Sequence, residues 1–479
     1  MKIIIIGDGK VGHKVATELS EENYDIVLID QNRGKLSEAL NQMDIQCIEG
    51  NGADVDVQKK AGVATTDLVI ACASNDETNM LSCLFARRLG AKHTIARVRN
   101  PIYYAQIDVL KRDLHLSMAV NPELAAANEI ARLLLIPDTT NSETFMKGRV
   151  ELVEFPIREE NPLIGITLAD LYQKYQIRIL VCAIERGGDV IIPDGNTVME
   201  KGDKIHIAAS HSNLESFFFT IGRRKKIKKV LICGGGILCY YLTKQLVAAK
   251  MQVKIIEHKQ ARCEELEEIF NDGPFTKRVS IVNGDATDQE LLLEEGIEEA
   301  DALVALTGLD EENIIMGLFA KTLGLKKVIT KVNEDNRAKM VEGLGIDSII
   351  SAKTATADVI LGYVRARHNS SKVTNVETLV KLVDGKIEAE EFIIKHPMPF
   401  LSKPLKELPT VPDALISCIG RDRKVLIPDG NTRLEIGDSV VVVTKGKIIR
   451  DLPDIFVDEK YRKIDPSLFE HVNHASGVK

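Results

Sequence analysis

Short apolar runs alternate with stretches of helical periodicity at the start of the chain. The run IIII (3–6) is apolar throughout, which is typical of a strand buried on both faces of a parallel sheet. Further strands are predicted at DIVLID (25–30), IQCIE (45–49), DLVIACA (67–73) and TIARV (94–98), with helices over 10–21, 33–42, 54–61 and 76–90. Strands that alternate with helices predict right-handed crossovers and a doubly wound, Rossmann-like α/β sheet.

The whole pattern occurs twice along the chain. KIIIIGDGKVG (2–12) aligns with KVLICGGGILC (229–239), and residues 52–79 align with residues 286–313. VIIPDGNTVMEKGDKIHIAAS (190–210) also aligns with VLIPDGNTRLEIGDSVVVVTK (425–445). A repeat of this length indicates a duplicated module. The extra residues of the second copy fit an insertion near 271–277, whose Asp-Gly-Pro predicts a surface turn.

The repeats predict two Rossmann-like domains, each followed by a small α+β domain with short strands and a Pro-Asp-Gly turn. The expected bounds are 1–138, 139–222, 228–368 and 369–456, followed by a tail, 457–479. The basic run 223–229 is interpreted as a solvated linker, with contact to an acidic partner or anionic lipid as the alternative. Helical stretches near 122–136 and 352–365 are apolar over much of their surface, so each is expected to bury against something outside its own sheet.

Composition narrows the classes of function. The formal net charge is −8, which argues against a nucleic-acid binder that works by bulk positive charge. No uncharged apolar run reaches the roughly 18 residues that span a bilayer, and the first apolar run is too short for a signal peptide, so a cytoplasmic chain is expected. The 8 Cys form no C-x-x-C pair, so neither a zinc site nor a disulfide framework is expected.

The first strand–helix turn carries G-x-G-x-x-G as Gly7, Gly9 and Gly12. Gly7 permits a tight turn, Gly9 lets backbone N–H groups approach a pyrophosphate, and Gly12 allows close helix–strand contact. Asp30 closes the second strand about 20 residues later, where a carboxylate accepts hydrogen bonds from ribose hydroxyls and repels a 2′-phosphate. The motif therefore predicts a dinucleotide site that prefers NAD-type to NADP-type ligands.

Two positions depart from this pattern. Asp8 places a carboxylate inside the first turn, so either Lys10 compensates its charge or the Asp8 side chain points away from the phosphates. In the second copy, Gly234–Gly236 lead to Glu257 at the end of the second strand, but Cys239 replaces the third glycine. The Cys239 side chain must fit between helix and strand, so a second nucleotide site with altered packing is expected.

Further candidates follow the third, fourth and fifth strands, at the carboxyl edge where ligands of such sheets bind. An acceptor after the third strand could meet an adenine amino group, and a cation ending the fifth strand could neutralise phosphate or be a plain surface residue. These candidates are Asn51 and Asp285 after the third strand, Ala73, Ser74, Thr307 and Gly308 after the fourth, and Arg97 and Lys331 ending the fifth.

The small domains show no Ser/His/Asp set, no metal-ligand cluster and no Lys nucleophile with a matching base. Asp194 and Asp429 could ligate a metal ion, but a structural role in the turn is the better interpretation. A dehydrogenase usually brings an acid/base residue to the nicotinamide from the domain after its nucleotide fold, and a small duplicated β-rich unit takes that place here. This favours a ligand sensor that is not an enzyme, with an NAD-dependent oxidoreductase as the alternative.

The combination of motifs resembles the RCK (KTN) module with its C-terminal subdomain. It rests on KIIIIGDGKVG, Asp30, IEGNGADVDVQKKAG, ACASNDETNM, IARVRN and IPDGNTVMEKGD, and two such modules in one chain resemble the TrkA family over nearly all of 1–455. The resemblance implies a cytosolic, peripheral regulatory subunit of a TrkH/TrkG-like potassium transporter. It further implies binding of NAD(H) and of ATP or ADP, and assembly into a ring that is plausibly a homotetramer.

The resemblance also implies which residues form the two sites. The first site would use Gly7, Asp8, Gly9, Lys10, Val11, Asp30, Ala73, Ser74 and Arg97. The second would use Gly234, Gly235, Gly236, Ile237, Leu238, Glu257, Thr307, Gly308 and Lys331. A nucleotide that binds two arrangements of the ring with different affinity would shift their populations, whereas equal affinity would shift nothing.

Overall fold

A computed structural model describes residues 1–136, 138–222, 226–341, 344–368, 374–383, 385–401, 403–422, 424–446, 449, 451–458 and 461. Residues 223–225 of the basic run and most of the expected tail lie outside the described residues. The described residues group into two compact units, one from 1–135 and 227–361, the other from 136–226 and 362 onward. The first unit holds both Rossmann-like sheets and the second holds both small β-rich sheets.

The first Rossmann-like sheet is parallel, with strand order β3-β2-β1-β4-β5-β6. Its strands are β1 (Lys2–Ile6), β2 (Asp25–Asp30), β3 (Gln46–Glu49), β4 (Leu68–Ala71), β5 (His93–Arg97) and β6 (Met118–Val120). Its helices are α1 (Lys10–Glu21), α2 (Arg33–Gln42), α3 (Val55–Lys60), α4 (Asp76–Arg88), α5 (Pro101–Ala105), α6 (Ile107–Asp113) and α7 (Pro122–Leu135). The predicted strands are confirmed, but the hydrophobic pattern missed β6, because a strand so short shows no periodicity of its own.

The second sheet repeats this order as β14-β13-β12-β15-β16-β17. Its strands are β12 (Lys229–Cys233), β13 (Gln252–Glu257), β14 (Val279–Asn283), β15 (Ala302–Ala305), β16 (Lys327–Lys331) and β17 (Ser348–Ile350). Its helices are α10 (Ile237–Ala248), α11 (Gln260–Phe270), α12 (Gln289–Glu294), α13 (Asp310–Thr322), α14 (Asp335–Val341) and α15 (Ala352–His368). The insertion near 271–277 forms exposed turns between α11 and β14, as predicted.

Helix α7 follows the first sheet but packs against the second module. Its buried Ala127, Ile130 and Leu134 belong to one apolar cluster with Leu242 and Leu246 of α10. At the edge of this contact, Asn121 donates a hydrogen bond to the Tyr241 hydroxyl at 3.0 Å. The prediction that 122–136 buries outside its own sheet is confirmed, and the contact joins the two Rossmann-like domains. Among the described residues, no helix is both long and apolar enough to cross a membrane.

The two small sheets share one antiparallel strand order. The first is β7-β8-β11-β9-β10, formed by Asn141–Phe145, Val150–Pro156, Lys204–Ala209, Leu180–Arg186 and Asp189–Ile191, with helices α8 (Leu168–Tyr175) and α9 (His211–Thr220). The second is β18-β19-β22-β20-β21, formed by Thr374–Leu382, Ile387–Ile394, Ser439–Lys445, Ala414–Arg421 and Lys424–Leu426. Both also contain, at matching positions, a buried aspartate bound by a partly exposed arginine: Arg186 binds Asp203 at 2.7 Å and Arg421 binds Asp438 at 2.7 Å.

The small domains pack face to face within their unit. One apolar cluster contains Leu152 and Cys182 of the first domain together with Ala389, Cys418 and Val441 of the second. The Glu391 carboxylate of the second domain also accepts a hydrogen bond at 2.9 Å from the backbone N–H of Met146 in the first. Each small sheet thereby buries a face that would otherwise be exposed.

The opposite face of β19 carries an ionisable residue where the first small domain has an apolar residue. VELVEFP (150–156) aligns with IEAEEFI (387–393), so Glu390 occupies the position of Val153, which is fully buried. Glu390 is 1% exposed, and among the described residues neither of its carboxylate oxygens has a hydrogen-bond partner. Burial, reinforced by the charge of Glu388, raises the pKa of Glu390 to about 9, although Arg365 acts in the opposite direction. Glu390 is therefore protonated at neutral pH.

Replacing Glu390 with valine, the residue at the matching position, is expected to raise the free energy of unfolding. The folded-state pKa of Glu390 lies above the unfolded value, so its contribution to stability is lost as pH rises from the ordinary glutamate range toward about 9. We expect E390V to gain little near about pH 5 and on the order of 1–3 kcal/mol near about pH 8.5, measured by denaturant unfolding. The isosteric Glu390→Gln should show the same trend, and equal gains at both pH values would contradict the raised pKa of Glu390.

Candidate functional site

The first glycine turn is tight because the chain passes directly beside the end of β4. Gly7 has φ +97°, and a Cβ on it would lie 2.7 Å from the backbone nitrogen of Ala73. Gly12 touches the turn from the first helical residues, since a Cβ there would lie 1.9 Å from the Gly7 carbonyl oxygen. Both glycines are therefore required for the turn to close against the helix.

Gly9 heads α1 and leaves the start of that helix open. Its backbone is extended, with φ −87°, and a glycine has no side chain to cap the first N–H groups. A Cβ on Gly9 would meet no atom within 4 Å, so the space beside it is free. The first-turn N–H groups, including those of Lys10 and Val11, thus present a partial positive charge that suits a phosphate.

Asp30 lies beside this turn at the end of β2. Its carboxylate accepts hydrogen bonds from the backbone N–H of Asp8 at 2.6 Å and of Asn32 at 2.8 Å. The side chain remains partly exposed. Because a carboxylate oxygen can accept more than one hydrogen bond, Asp30 can still accept from a ribose hydroxyl.

The Asp8 side chain points away from the open space beside Gly9. It is 2% exposed and binds His13, with 2.9 Å between Asp8 Oδ1 and His13 Nδ1. Lys10 does not compensate this charge, because its Nζ lies 3.2 Å from a carboxylate oxygen of Glu334 in the second module. Of the two alternatives left by the sequence, the structure shows the second, and His13 is the partner that sequence reasoning missed.

Asn79 and Arg97 organise the loop after β4. Asn79 accepts from the Ala73 N–H at 2.7 Å and donates to the carbonyls of Ala73 and Arg97, which ties α4 to the ends of both strands. Arg97 donates to the Ala73 carbonyl at 2.7 Å, while its Nε is buried without a hydrogen-bond partner in the described residues. Burial lowers the pKa of Arg97. An orphaned guanidinium N–H beside exposed Ser74 fits an anionic ligand at this edge.

The second module repeats the arrangement, except that its strand-end acid is more buried. Gly234 has φ +105°, and the Gly235 N–H donates to Glu257 Oε2 at 2.7 Å. Gly236 heads α10 with open space beside it, and Ile237 and Leu238 form the first helical turn. Glu257 is 7% exposed, so less of its carboxylate faces solvent than that of Asp30.

Cys239 is accommodated in the core of the second module. It is fully buried and lies in the apolar cluster with Leu242 and Leu246, with its Sγ 3.8 Å from the Thr243 hydroxyl. At the matching position of the first module a Cβ would clash with the turn. The second module therefore holds a cysteine at this position, and the opening at Gly236 is kept.

The remaining predicted residues divide into two groups. Lys331 donates to the Leu306 carbonyl at 3.2 Å, its pKa is lowered by burial, and Thr307 and Gly308 lie beside it, as Ala73 and Ser74 lie beside Arg97. Asn51 and Asp285, in contrast, are exposed and engaged in local turns. Asn51 accepts from the Ala53 N–H at 3.0 Å, and Asp285 accepts from the Thr287 N–H at 2.9 Å.

In each module the structure thus brings together a glycine turn, an uncapped helix start, a strand-end carboxylate and a half-buried cation. This set fits a nucleotide with a pyrophosphate and a free ribose diol. In the described part of the small domains there is no comparable site, since Asp194 and Asp429 accept hydrogen bonds within their own turns at 2.9 and 3.0 Å. Among the described residues, no group of three or more His, Cys, Asp or Glu side chains could hold a metal ion.

Comparison with known families follows the same alternation of domains. The TrkA-N domain model matches residues 3–122 and 230–352, and the TrkA-C domain model matches residues 152–219 and 389–457. The first pair of matches covers the Rossmann-like sheets and the second pair covers most of the small sheets.

Relatives match along nearly the whole chain. A Trk system potassium uptake protein TrkA homolog of Archaeoglobus fulgidus is 33% identical over 95% of this chain and 100% of that protein. The Trk system potassium uptake protein TrkA of Vibrio alginolyticus is 32% identical over 95% of this chain and 98% of that protein. The solved GsuK RCK domain has a TM-score of 0.60 at 20% identity, over 93% of this chain and 92% of that chain. The GsuK channel bound to NAD has a TM-score of 0.61 at 19% identity, over 93% and 77%.

Alanine at Gly12 and at Gly9 should separate the structural from the ligand-facing glycine. Gly12→Ala places a Cβ against the Gly7 carbonyl, so we expect a loss of roughly 2–4 kcal/mol in the free energy of unfolding. Gly9→Ala meets open space at an ordinary φ, so we expect a change within about 0.5 kcal/mol. Denaturant unfolding of the two variants measures the difference, and equal losses would contradict the geometry.

Proposed function

The chain belongs to the TrkA family of Trk system potassium uptake proteins, and from that membership we propose that it is a nucleotide-sensing regulatory subunit that gates a TrkH/TrkG-like membrane transporter. The observation that carries the proposal is that the same arrangement around the glycine turn occurs in both modules. In both modules a strand-end carboxylate accepts the N–H of a glycine turn, beside an uncapped helix start with open space. Two sites built alike in one chain suit a sensor that responds to ligand occupancy.

The ligand that best suits the glycine turn and its neighbouring carboxylate is NAD(H). ATP and ADP are the other nucleotides that we propose as ligands. Asp30 and Glu257 would accept hydrogen bonds from a ribose diol, and their charge would repel a 2′-phosphate. The first-turn N–H groups of α1 and α10 would meet the phosphates, with Arg97 and Lys331 as the neighbouring cations. A bound pyrophosphate supplies the negative charge that these donors are arranged to receive.

The proposed role of the ligand is to shift an equilibrium and not to react. In the described residues, the groups at each glycine turn are backbone N–H groups, a hydrogen-bonded carboxylate and a cation that donates to a backbone carbonyl. The first turn also has Asp8 and His13, which are bound to each other. None of these is a free acid/base pair placed to move a proton. Regulation then requires that the nucleotide bind two arrangements of the protein with different affinity, because only differential affinity moves a population.

The proposed partner is the membrane subunit of a potassium uptake system, reached from its cytosolic face. The proposed assembly is a homo-oligomer, a tetramer in its simplest form, since two modules per chain supply a pseudo-symmetric pair. Membership of the family indicates a Trk system; the TrkH/TrkG-like transporter and the cytosolic membrane face are the specific parts of the proposal.

Asparagine at Asp30 should weaken NADH binding at the first site. The variant keeps the shape of the side chain but removes the charge that strengthens its hydrogen bonds, so we expect an affinity roughly tenfold or more lower at one class of sites. Calorimetric titration of the full chain with NADH measures this. Asp25→Asn, an exposed aspartate at the other end of β2, is the matched control and should leave affinity unchanged. Unaltered NADH affinity in Asp30→Asn would contradict the assignment of Asp30.

Potassium flux should depend on both the chain and its ligand. We expect rubidium uptake into proteoliposomes that contain a TrkH/TrkG-like transporter to change when the chain is added, and to change again with NADH, ATP or ADP. The Asp30→Asn variant should shift the NADH response to higher concentration by the factor measured calorimetrically. Flux that ignores the chain would refute the regulatory role, and NADH consumption beyond one equivalent with an added substrate would favour an oxidoreductase.

A further inference from the structure

The first glycine turn rests on a buried aspartate that contacts a partly exposed histidine, since the side chain of Asp8 is 2% exposed and that of His13 is 36% exposed. Asp8 Oδ1 lies 2.9 Å from His13 Nδ1, and the other ring nitrogen, Nε2, lies 3.3 Å from the side-chain oxygen of Gln42. Both ring nitrogens therefore face acceptors, which an imidazole satisfies fully only when both nitrogens carry a proton. A second ring proton would let His13 donate to both oxygens and would offset the charge of Asp8.

The second module has no such pair at the matching positions, and its His258 lies instead 3.1 Å from the carboxylate of Glu257. Gly235 takes the place of Asp8. A Cβ at this position would lie 2.8 Å from Leu266, so any side chain here would collide with the leucine. In the first module the residue that aligns with Leu266 is Ala39, which leaves the room that the Asp8 side chain occupies. Tyr240 replaces His13 and packs on Phe270 with the ring centroids 6.1 Å apart. The two modules thus differ here by a coordinated set of substitutions.

Several groups face the Asp8 carboxylate from the surrounding elements. His13 on α1 and Lys35 on α2 favour its ionised form, whereas Asp30 at the end of β2 disfavours it. The Cys47 thiol on β3 also lies within its influence. Burial raises the pKa of Asp8, and the hydrogen bond from His13 is the largest effect in the opposite direction. His13 is therefore the group that most favours the ionised form of Asp8, against the larger effect of burial.

We propose that the first nucleotide site is proton-sensitive, because a proton held between Asp8 and His13 is needed for tight binding of a pyrophosphate-bearing nucleotide there. The inference rests on the proposed function and specifies how one of its two sites is regulated. Loss of the proton leaves a buried carboxylate directly before Gly9, where the phosphates are to be received. That carboxylate then adds to the charge of Asp30 and repels the ligand.

His13 acts through Asp8 and is a positioning residue, so its test needs a readout that a structural role would not move. The readout is the pH dependence of NADH affinity, because the pyrophosphate of NADH keeps a constant charge over the pH range in which histidine side chains titrate. Gly236→Glu provides the background, because its side chain would fill the open space of the second turn and leave the first site to be measured alone.

NADH is titrated calorimetrically into the full chain at about pH 6 and about pH 8.5, on either side of the range in which histidine titrates. With Asp8 and His13 present, we expect affinity roughly tenfold lower at the higher pH, and proton uptake on binding that is visible as a dependence on buffer ionisation heat. Asp8→Gly, which installs the residue of the second module, should bind NADH equally at both pH values. His13→Gln should bind weakly at both, and the double variant Asp8→Gly, His13→Gln should recover the affinity.

The outcomes separate this inference from the function on which it rests. Tight NADH binding that is independent of pH in the unmodified first site would overturn the proton requirement and leave nucleotide sensing intact. Failure of the double variant to recover affinity would overturn the role of Asp8 charge, because His13 would then act by packing alone. Failure of the unmodified chain to bind NADH, ATP or ADP at any pH would overturn the proposed function and this inference together.

Discussion

A single hydrogen bond, from the backbone of the glycine turn to the carboxylate that ends the second strand, sets up each candidate site. It is 2.6 Å long from Asp8 to Asp30 and 2.7 Å long from Gly235 to Glu257. The bond satisfies a backbone N–H that faces no helix or strand partner, and it holds the acid beside the helix start. Because the turn can only close where Gly7 or Gly234 adopts a positive φ, the acid, the turn and the open space at the next glycine are placed together.

Duplication inside one chain lets each kind of domain bury a face against its own copy. In the first unit α7 leaves the first module and packs on α10 of the second, so its apolar surface is covered without another chain. In the second unit the two small sheets share a core that includes Cys182 and Cys418. These contacts make each pair of repeats a single packed body, which is a requirement for any signal that passes from one copy to the other.

The copies have diverged in sets of residues and not one residue at a time. Asp8 is possible because Ala39 leaves room and His13 supplies a partner, whereas Gly235 is confined by Leu266. Glu390 replaces Val153 on the core face of a matching strand and stays neutral there, because burial and the charge of Glu388 raise its pKa. Each such set changes the electrostatics of one module while the backbone of the fold is kept.

The sequence by itself determined the class of fold, the duplication, the two glycine turns and the acids that end the second strands, because these depend on local periodicity and on spacing within one strand–helix–strand unit. It could not predict β6, which is too short to show a period, nor the direction of the Asp8 side chain. The sequence also placed Asn51 and Asp285 at the carboxyl edge of each Rossmann-like sheet, but it did not show that each side chain is engaged in its own turn. Asp8 and His13 are replaced together by Gly235 and Tyr240 in the second repeat, and this joint replacement is the feature of the sequence that indicates His13 as the partner of Asp8. The pairing of like domains into two units, the ion pair of Lys10 with Glu334 and the isolation of Glu390 were decided only by tertiary structure, since each depends on residues that meet from distant parts of the chain.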